Sequence, residues 1–503
     1  MNTTKFKKLL FPVTAVILTV ALIFSVIFLA SALRRQDAGS QSPSSFGQNF
    51  TGDNPAFQGG DSGSSRQNSN DLGSKSGTAS NSVQPSASAM PSKPSAGEPA
   101  APPDDAGDSF VKPVSKNLIT EAYASFLYFW EQTQTADGSP GYGLTRDRWP
   151  GSENMASVAA TGYALTAYPI GVEYKWITRQ QGEERALKTL DALMRMDTVS
   201  GFYYHFINMT TGKPMRNTEV SVIDTALLLN GVLTAGEYFG GDIKNKADEI
   251  YRRVDWNFYI DKGKSQYYMS YTPGKGFSGH WDNYAEQLMM YVLGAGSPTH
   301  PMDKKVYDGF NRMKGSYGGQ PDFIYSWFGS IFVYQYSHAW IDFRNKKDDR
   351  GVNWFDNSVY ASRAAHKFAV DNKKDYKSFS ETSWGLSACD TPTGYSGLLG
   401  SPPARGNEVA DVIPPAGAIG SVVFTPAESL GALDYYMTVP NLLGKYGLKD
   451  AFSLSKNWVA NDYVGIDKGI TLLMLINYDS EFVWKTCMKN QYVKNGLTRL
   501  GIK

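Results

Sequence analysis

The stretch Met215–Leu229 limits what this chain can fold into more than any other. From Val220 onward it is an apolar run that reads as a helix with few charges, and such a helix is ordinarily buried on every side. Glu219 nevertheless stands at its head and Asp224 in its first turns. A carboxylate near a helix N-terminus is favoured by about 0.3–1 kcal/mol through the macrodipole, so capping explains each acid taken singly. The other reading is that these acids line a polar pocket where buried helices end. The remaining acid-bearing apolar segments decide between the two.

Four such segments follow. In Phe277–Gly294, Asp282 and Glu286 are four residues apart, a spacing that places them on one helix face, beside Trp281 and Tyr284. Phe332–Arg344 sets Gln335, His338, Trp340, Asp342 and Arg344 within an aromatic run, either as a buried His–Asp network or as ligand contacts. Glu381, Trp384 and Asp390 introduce a loop dense in Gly and Pro, and Asp467 heads a further apolar helix from Gly465. One acid at a buried helix start is ordinary. Several, interleaved with Trp, Tyr and His, fit a carbohydrate cleft: aromatic faces stack on sugar rings, carboxylates accept hydrogen bonds from hydroxyls, and two of them can do acid/base chemistry.

The periodicity predicts helices at Leu118–Glu131, Ala156–Ala167, Trp176–Met196, Val220–Phe239, Lys244–Asn257, Asn283–Leu293, Trp327–Ile341, Trp354–Val370, Pro426–Met437 and Gly465–Leu475. Loops separate them, most clearly Ala136–Asn154, Gly263–Gly279 and Asp390–Val422. Apolar helices alternating with amphipathic ones suggest an all-α domain of concentric pairs, with a site built by the loops at one end.

This domain covers residues 114–503. Ahead of it, residues 1–35 contain Leu9–Leu33, almost wholly apolar and uncharged, and a bilayer core takes about 20 such residues. With Lys5, Lys7 and Lys8 before it, this reads as a single-pass membrane anchor with a cytoplasmic N-terminus. The alternative is a signal peptide cleaved at Ala30-Ser31-Ala32, which would leave a secreted protein. Both readings export the remainder. Residues 36–113 are rich in Ser, Gly, Pro, Ala, Asn and Gln with few large apolar side chains, the composition of a disordered tether. The 49 basic and 48 acidic residues nearly cancel and form no basic patch, which argues against nucleic acid as a partner. Cys389 and Cys487 allow at most one disulfide, and no His/Cys spacing indicates a metal site.

Taken together, Phe129-Trp130-Glu131, Ala159–Gly162, Ile170–Glu173, Ile223–Leu228, Gly296–His300, Gln335–Arg344, Trp384–Leu386 and Gly444–Gly447 resemble the bacterial glucoamylase-like domain of glycoside hydrolase family 144, the β-1,2-glucanases. The chain also looks like the related domain that ends cyclic β-1,2-glucan synthases. The resemblance spans nearly all of Asn117–Lys503. It implies an (α/α)6 barrel that hydrolyses β-glucan, most specifically β-1,2-glucan, by an inverting general acid/base mechanism without a cofactor. Glu286 is then the candidate acid and Asp467 the candidate base, with Glu219, Asp224 and Glu381 in reserve. Trp281, Asp282, Gln335, His338, Trp340, Asp342 and Trp384 are expected to border the sugar cleft. One departure is Ile476, where similar members carry a Glu. Two alternatives stand beside hydrolysis: a non-catalytic glycan-binding scaffold, and a transglycosylase or lyase acting on another glucan.

Overall fold

In a computed structural model, residues 112–503 are described; the anchor and nearly all of the tether lie outside them. Among the described residues no helix is long and apolar enough to cross a membrane. The last two residues assigned to the tether are docked: the Lys112 ammonium donates to the Tyr478 and Asp479 carbonyls, and Tyr478 Oη donates to Pro113 O at 2.6 Å.

The principal helices are α1 (Leu118–Glu131), α2 (Val158–Glu173), α3 (Arg179–Leu193), α4 (Val222–Phe239), α5 (Gly241–Arg252), α6 (Leu288–Gly296), α7 (Lys304–Asp308), α8 (Tyr336–Trp340), α9 (Trp354–Asn372), α10 (Pro415–Ile419), α11 (Pro426–Tyr436), α12 (Gly465–Ser480), α13 (Phe482–Cys487) and α14 (Gln491–Leu500). They fall into two kinds. In α2, Val158–Gly171 are all buried, and α4 and α6 are buried almost throughout. By contrast α5 buries only Ile243, Ala247, Ile250 and Tyr251, one stripe of an amphipathic helix. Caps fix where three of these helices begin. Ser157 accepts from Ala160 N to start α2, Ser221 accepts from Asp224 N to start α4, and Thr178 with Gln181 forms a capping box on α3.

Inner helices meet through backbone contact. A Cβ at Gly231 of α4 would lie 1.9 Å from Gly162 O, and one at Gly162 of α2 would lie 2.5 Å from Leu227 O. Only glycine permits this approach. Between α6 and α14, Gly296 and Gly496 do the same, each against the other helix's backbone.

The domain is helix-rich, consistent with the expected α/α fold, and its loops also carry short strands. Among the described residues there are seven two-stranded antiparallel pairs and one four-stranded sheet. Gly263–Gly279, expected as a loop, is largely the hairpin Gln266–Thr272/Gly276–His280. These strands knit helix heads together. Val220–Ser221, leading into α4, pairs with Ser270 and Tyr271, and Tyr463–Val464, leading into α12, pairs with Arg148–Trp149. The predicted helix over Asn283–Leu293 begins only at Leu288, because Gln287 turns back: its Oε1 accepts from Ala285 N and its Nε2 donates to Asn283 O. Trp327–Ile341 is likewise broken into a 3₁₀ turn, Ile331–Tyr334, followed by α8. Cys389 and Cys487 are both buried and both free, so they do not pair.

Candidate active site

The heads of α4, α6 and α12 converge on one cavity. Asp224, Glu286 and Asp467 line it, with Ile223, Leu227, Phe332, Tyr336, Ser387, Ala388, Tyr395 and Ile466. Each acid reaches the cavity by a different local device. Asp224 sits in the first turn of α4, where the N-cap Ser221 Oγ donates to its Oδ2. Asp467 sits in the first turn of α12. Glu286 precedes α6 on the non-helical turn, and its carbonyl accepts from Ser337 Oγ at 2.6 Å while Ser337 Oγ accepts from Met289 N at 3.0 Å. Ser337 on α8 therefore fixes the segment that carries Glu286.

Glu286 and Asp467 sit in different electrostatic settings. Glu286 is 3% exposed and its Oε2 has no hydrogen-bond partner. Burial, reinforced by the nearby charge of Asp224, pushes its carboxyl up to about 7, so it carries a proton close to neutrality. Burial also raises Asp467, to about 6, but the charge of Arg148 opposes the rise. Arg148 is a buried hub, with Nη1 3.0 Å from Asp390 Oδ1 and 3.3 Å from Asp462 Oδ2, and Nε 3.9 Å from Asp147 Oδ2. The Tyr163 hydroxyl is buried without a hydrogen-bond partner and feels the charges of Asp467, Glu286 and Asp224.

Glu219 stands one link away. Its Oε1 lies 2.7 Å from His205 Nδ1, and His205 Nε2 lies 3.7 Å from Asp224 Oδ1. Burial disfavours a charged His205, but Asp224 and Glu219 outweigh it and push the imidazole up to about 9. Glu219 is held below the usual carboxylate range by His205 despite its own burial.

The other candidates lie elsewhere, and the expectation that they border one cleft is corrected residue by residue. Glu381 is on the surface, ion-paired with Lys373. Trp340 is fully buried, its Nε1 donating to Thr166 Oγ1 at 2.9 Å. Gln335 is fully buried, its Nε2 donating to Gly417 O (2.7 Å) and Ser421 Oγ (2.8 Å). His338 Nε2 lies 3.0 Å from Ser358 Oγ, and burial pushes its ring down to about 3, leaving it neutral. Trp384 is fully buried against His366, its Nε1 3.4 Å from Glu428 O. Trp281 is buried in the core, whereas Asp282 is exposed and, with no helix there, does not share a helix face with Glu286. Asp342 is held below its ordinary range by Arg344 against the effect of burial, and Arg344 continues to Glu481. This aromatic motif is thus core scaffolding, and Ile476 is likewise wholly buried. What sequence reasoning missed was Arg148, Asp450, Tyr163, Tyr336, Tyr395 and His205. Only the Arg146-Asp147-Arg148 triplet ahead of Trp149 offered a signal. Among the described residues no group of three or more His, Cys, Asp or Glu is placed to hold a metal ion.

A helix-rich domain whose buried helix heads bring three acids to one cavity fits the helical glycoside hydrolases. The family model described as "Putative glucoamylase" matches residues 278–491. A "putative glucoamylase" from Bacteroides uniformis is 30% identical with a TM-score of 0.70, the match covering 78% of this chain and 98% of that one. An endo-β-1,2-glucanase from Chitinophaga pinensis, solved with sophorotriose and glucose, is 27% identical with a TM-score of 0.70, over 77% and 97% of the two chains. An exo-β-1,2-glucooligosaccharide sophorohydrolase (non-reducing end) from Parabacteroides distasonis is 27% identical over 417 residues. That match takes in 75% of this chain, and the chain spans only 56% of the curated relative. The chain belongs to the glucoamylase-like family that includes these β-1,2-glucanases.

Proposed function

We propose that this protein hydrolyses β-1,2-glucan with inversion, Glu286 protonating the leaving oxygen and Asp467 activating water. The observation that carries the reading is that Glu286 and Asp467 line one cavity in different settings. Glu286 is a buried carboxyl with an unengaged oxygen, raised by burial to about 7, whereas the rise that burial gives Asp467 is opposed by the charge of Arg148. The substrate class rests on the β-1,2-glucan relatives. Asp224, oriented by Ser221 and His205, serves to bind sugar hydroxyls. The alternation of buried and amphipathic helices supports closure of the pairs into an (α/α)6 toroid. The apolar segment Leu9–Leu33 supports a membrane anchor that holds the domain outside the cell; protease added to intact cells should then release it by cutting within residues 36–113, and protection until lysis would overturn that placement. A panel of β-1,2-, β-1,3-, β-1,4- and α-glucans tests the substrate, and the anomeric form of the first product tests inversion. An inverting pair stands roughly 6.5–9.5 Å apart and a retaining pair roughly 5–5.5 Å, so a retained anomer would move the protein to the transglycosylating reading.

A further inference from the structure

All tryptophans of the chain lie among the described residues, and Trp327 alone of them is exposed, at 42%. An indole is a large apolar surface that folded chains ordinarily cover. The backbone beneath this one is firmly held. Trp327 O accepts from Arg405 N at 3.1 Å and from Gly406 N at 2.9 Å, Ser401 N donates to Gly329 O at 3.1 Å, and Gly329 N donates to Ser326 Oγ at 3.0 Å. A Cβ at Gly406 would lie 2.3 Å from Trp327 Nε1, so only glycine lets the edge of the indole rest on that backbone. Among the described residues no aromatic ring packs on the indole and no group accepts its N–H. Arg405 and Glu408 are exposed on the supporting loop, and neither is ion-paired there. No other exposed large apolar side chain comes from this knot of chain. The patch is therefore one indole wide, far below the roughly 1,000 Å² that a protein interface needs.

Both segments of the knot run into the wall of the cavity. Phe332 and Tyr336 follow Trp327 along the chain, Tyr395 precedes Arg405, and all three line the cavity. The stretch from Trp327 to Phe332 reaches at most about 17 Å when fully extended. Ile331 N donates to Leu386 O at 3.1 Å, next to the cavity residues Ser387 and Ala388. Tyr336 is the first residue of α8, so the indole stands on the head side of that helix, as the cavity does. A rigid aromatic face with hydrogen-bonding groups at its edge suits a pyranose, whose C–H face stacks on the ring while its hydroxyls meet the polar groups. We propose that Trp327, with Arg405 beside it, forms an outlying subsite that stacks on a glucose residue of the glucan chain away from the bond being cleaved, and so favours longer chains. The occupant is a neutral sugar chain that already reaches the mouth of the cavity. This inference rests on the reading of that cavity as a β-1,2-glucan site.

The test uses the full-length protein. Trp327→Ala should keep its melting temperature within about 2 °C of wild type, as a surface substitution does. It should raise KM on long β-1,2-glucan about tenfold with kcat unchanged, a difference of about 1.4 kcal/mol. KM on the shortest β-1,2-glucooligosaccharide that the enzyme cleaves should not move. Trp327→Phe, which keeps a smaller ring, should fall between the two, and Arg405→Ala should raise KM with the same dependence on chain length. A rise on short and long substrates alike would put the residue in the cavity itself, and no rise on either would leave the indole without a sugar; each result overturns the proposal. Unchanged KM with a fall from dimer to monomer in sedimentation would give the indole to a second copy of the chain, with the same consequence. If Trp327→Ala unfolds, Arg405→Ala carries the comparison of chain lengths, and an unchanged KM there refutes the subsite. A wild-type protein inactive on β-1,2-glucan would remove the functional reading instead. Retardation in gels containing the polysaccharide then decides the subsite on its own: retarded wild type beside unretarded Trp327→Ala upholds it, and equal mobility refutes it.

Discussion

Glu286→Gln should inactivate the enzyme and stabilise it, with the stabilisation depending on pH in a calculable way. Burial raises this carboxyl from 4.5 to about 7. A group whose native value is raised contributes stability that is complete below its unfolded value and is lost as pH climbs through the native one. Here the loss falls between pH 4.5 and about 7 and totals about 3 kcal/mol at about 1.4 kcal/mol per unit. Gln keeps the size and polarity but does not titrate. The advantage of the variant over wild type should therefore widen by about 2–3 kcal/mol between pH 5 and pH 8 and stay flat beyond. Paired urea unfolding at the two pH values measures this, and the pH responses shared by both proteins cancel in the difference. Hydrolysis should meanwhile fall by about 10²–10⁴-fold with glucan binding retained, the usual cost of losing a general acid. A gap that does not change with pH would show that Glu286 is not a buried neutral acid. A widening gap with activity intact would leave it buried and neutral but take the acid role from it.

Asp467→Asn should also lose about 10²–10⁴-fold in kcat, with partial rescue by azide as a substitute nucleophile; rescue in Glu286→Gln instead would exchange the two roles. His205→Gln should be less stable than wild type by about 3 kcal/mol at pH 6, because the imidazole is raised from 6.5 to about 9. That deficit should disappear as pH rises through 9, and a deficit that persists at pH 10 would refute the charged-imidazole account. Trp384→Ala should cost about 3–5 kcal/mol of stability by opening a core cavity and leave KM unchanged in the folded fraction, whereas a normal melting temperature with raised KM would return Trp384 to the cleft.

The sequence by itself determined the buried helices and the acids at their heads. A run with as few charges as Val222–Phe239 has little solvent-facing side to offer, and the Asp in its first turn is a local feature that needs no knowledge of neighbours. That was enough to name Asp224, Glu286 and Asp467 as candidates. Tertiary structure alone decided which other polar residues join them. Gln335, His338 and Trp340 look like a binding motif in sequence, but the Gln335 Nε2, His338 Nε2 and Trp340 Nε1 meet Gly417, Ser358 and Thr166 from other segments inside the core. Arg148 and Asp450 are unremarkable in sequence. Their places are set only because the strand Arg148–Trp149 pairs with Tyr463–Val464, and because the Asp450 carboxyl accepts from Asp390 N across a long stretch of chain. Helix burial is written in local hydrophobic periodicity, but the charge a buried carboxyl carries depends on groups far away in sequence, which only the packed chain brings within reach.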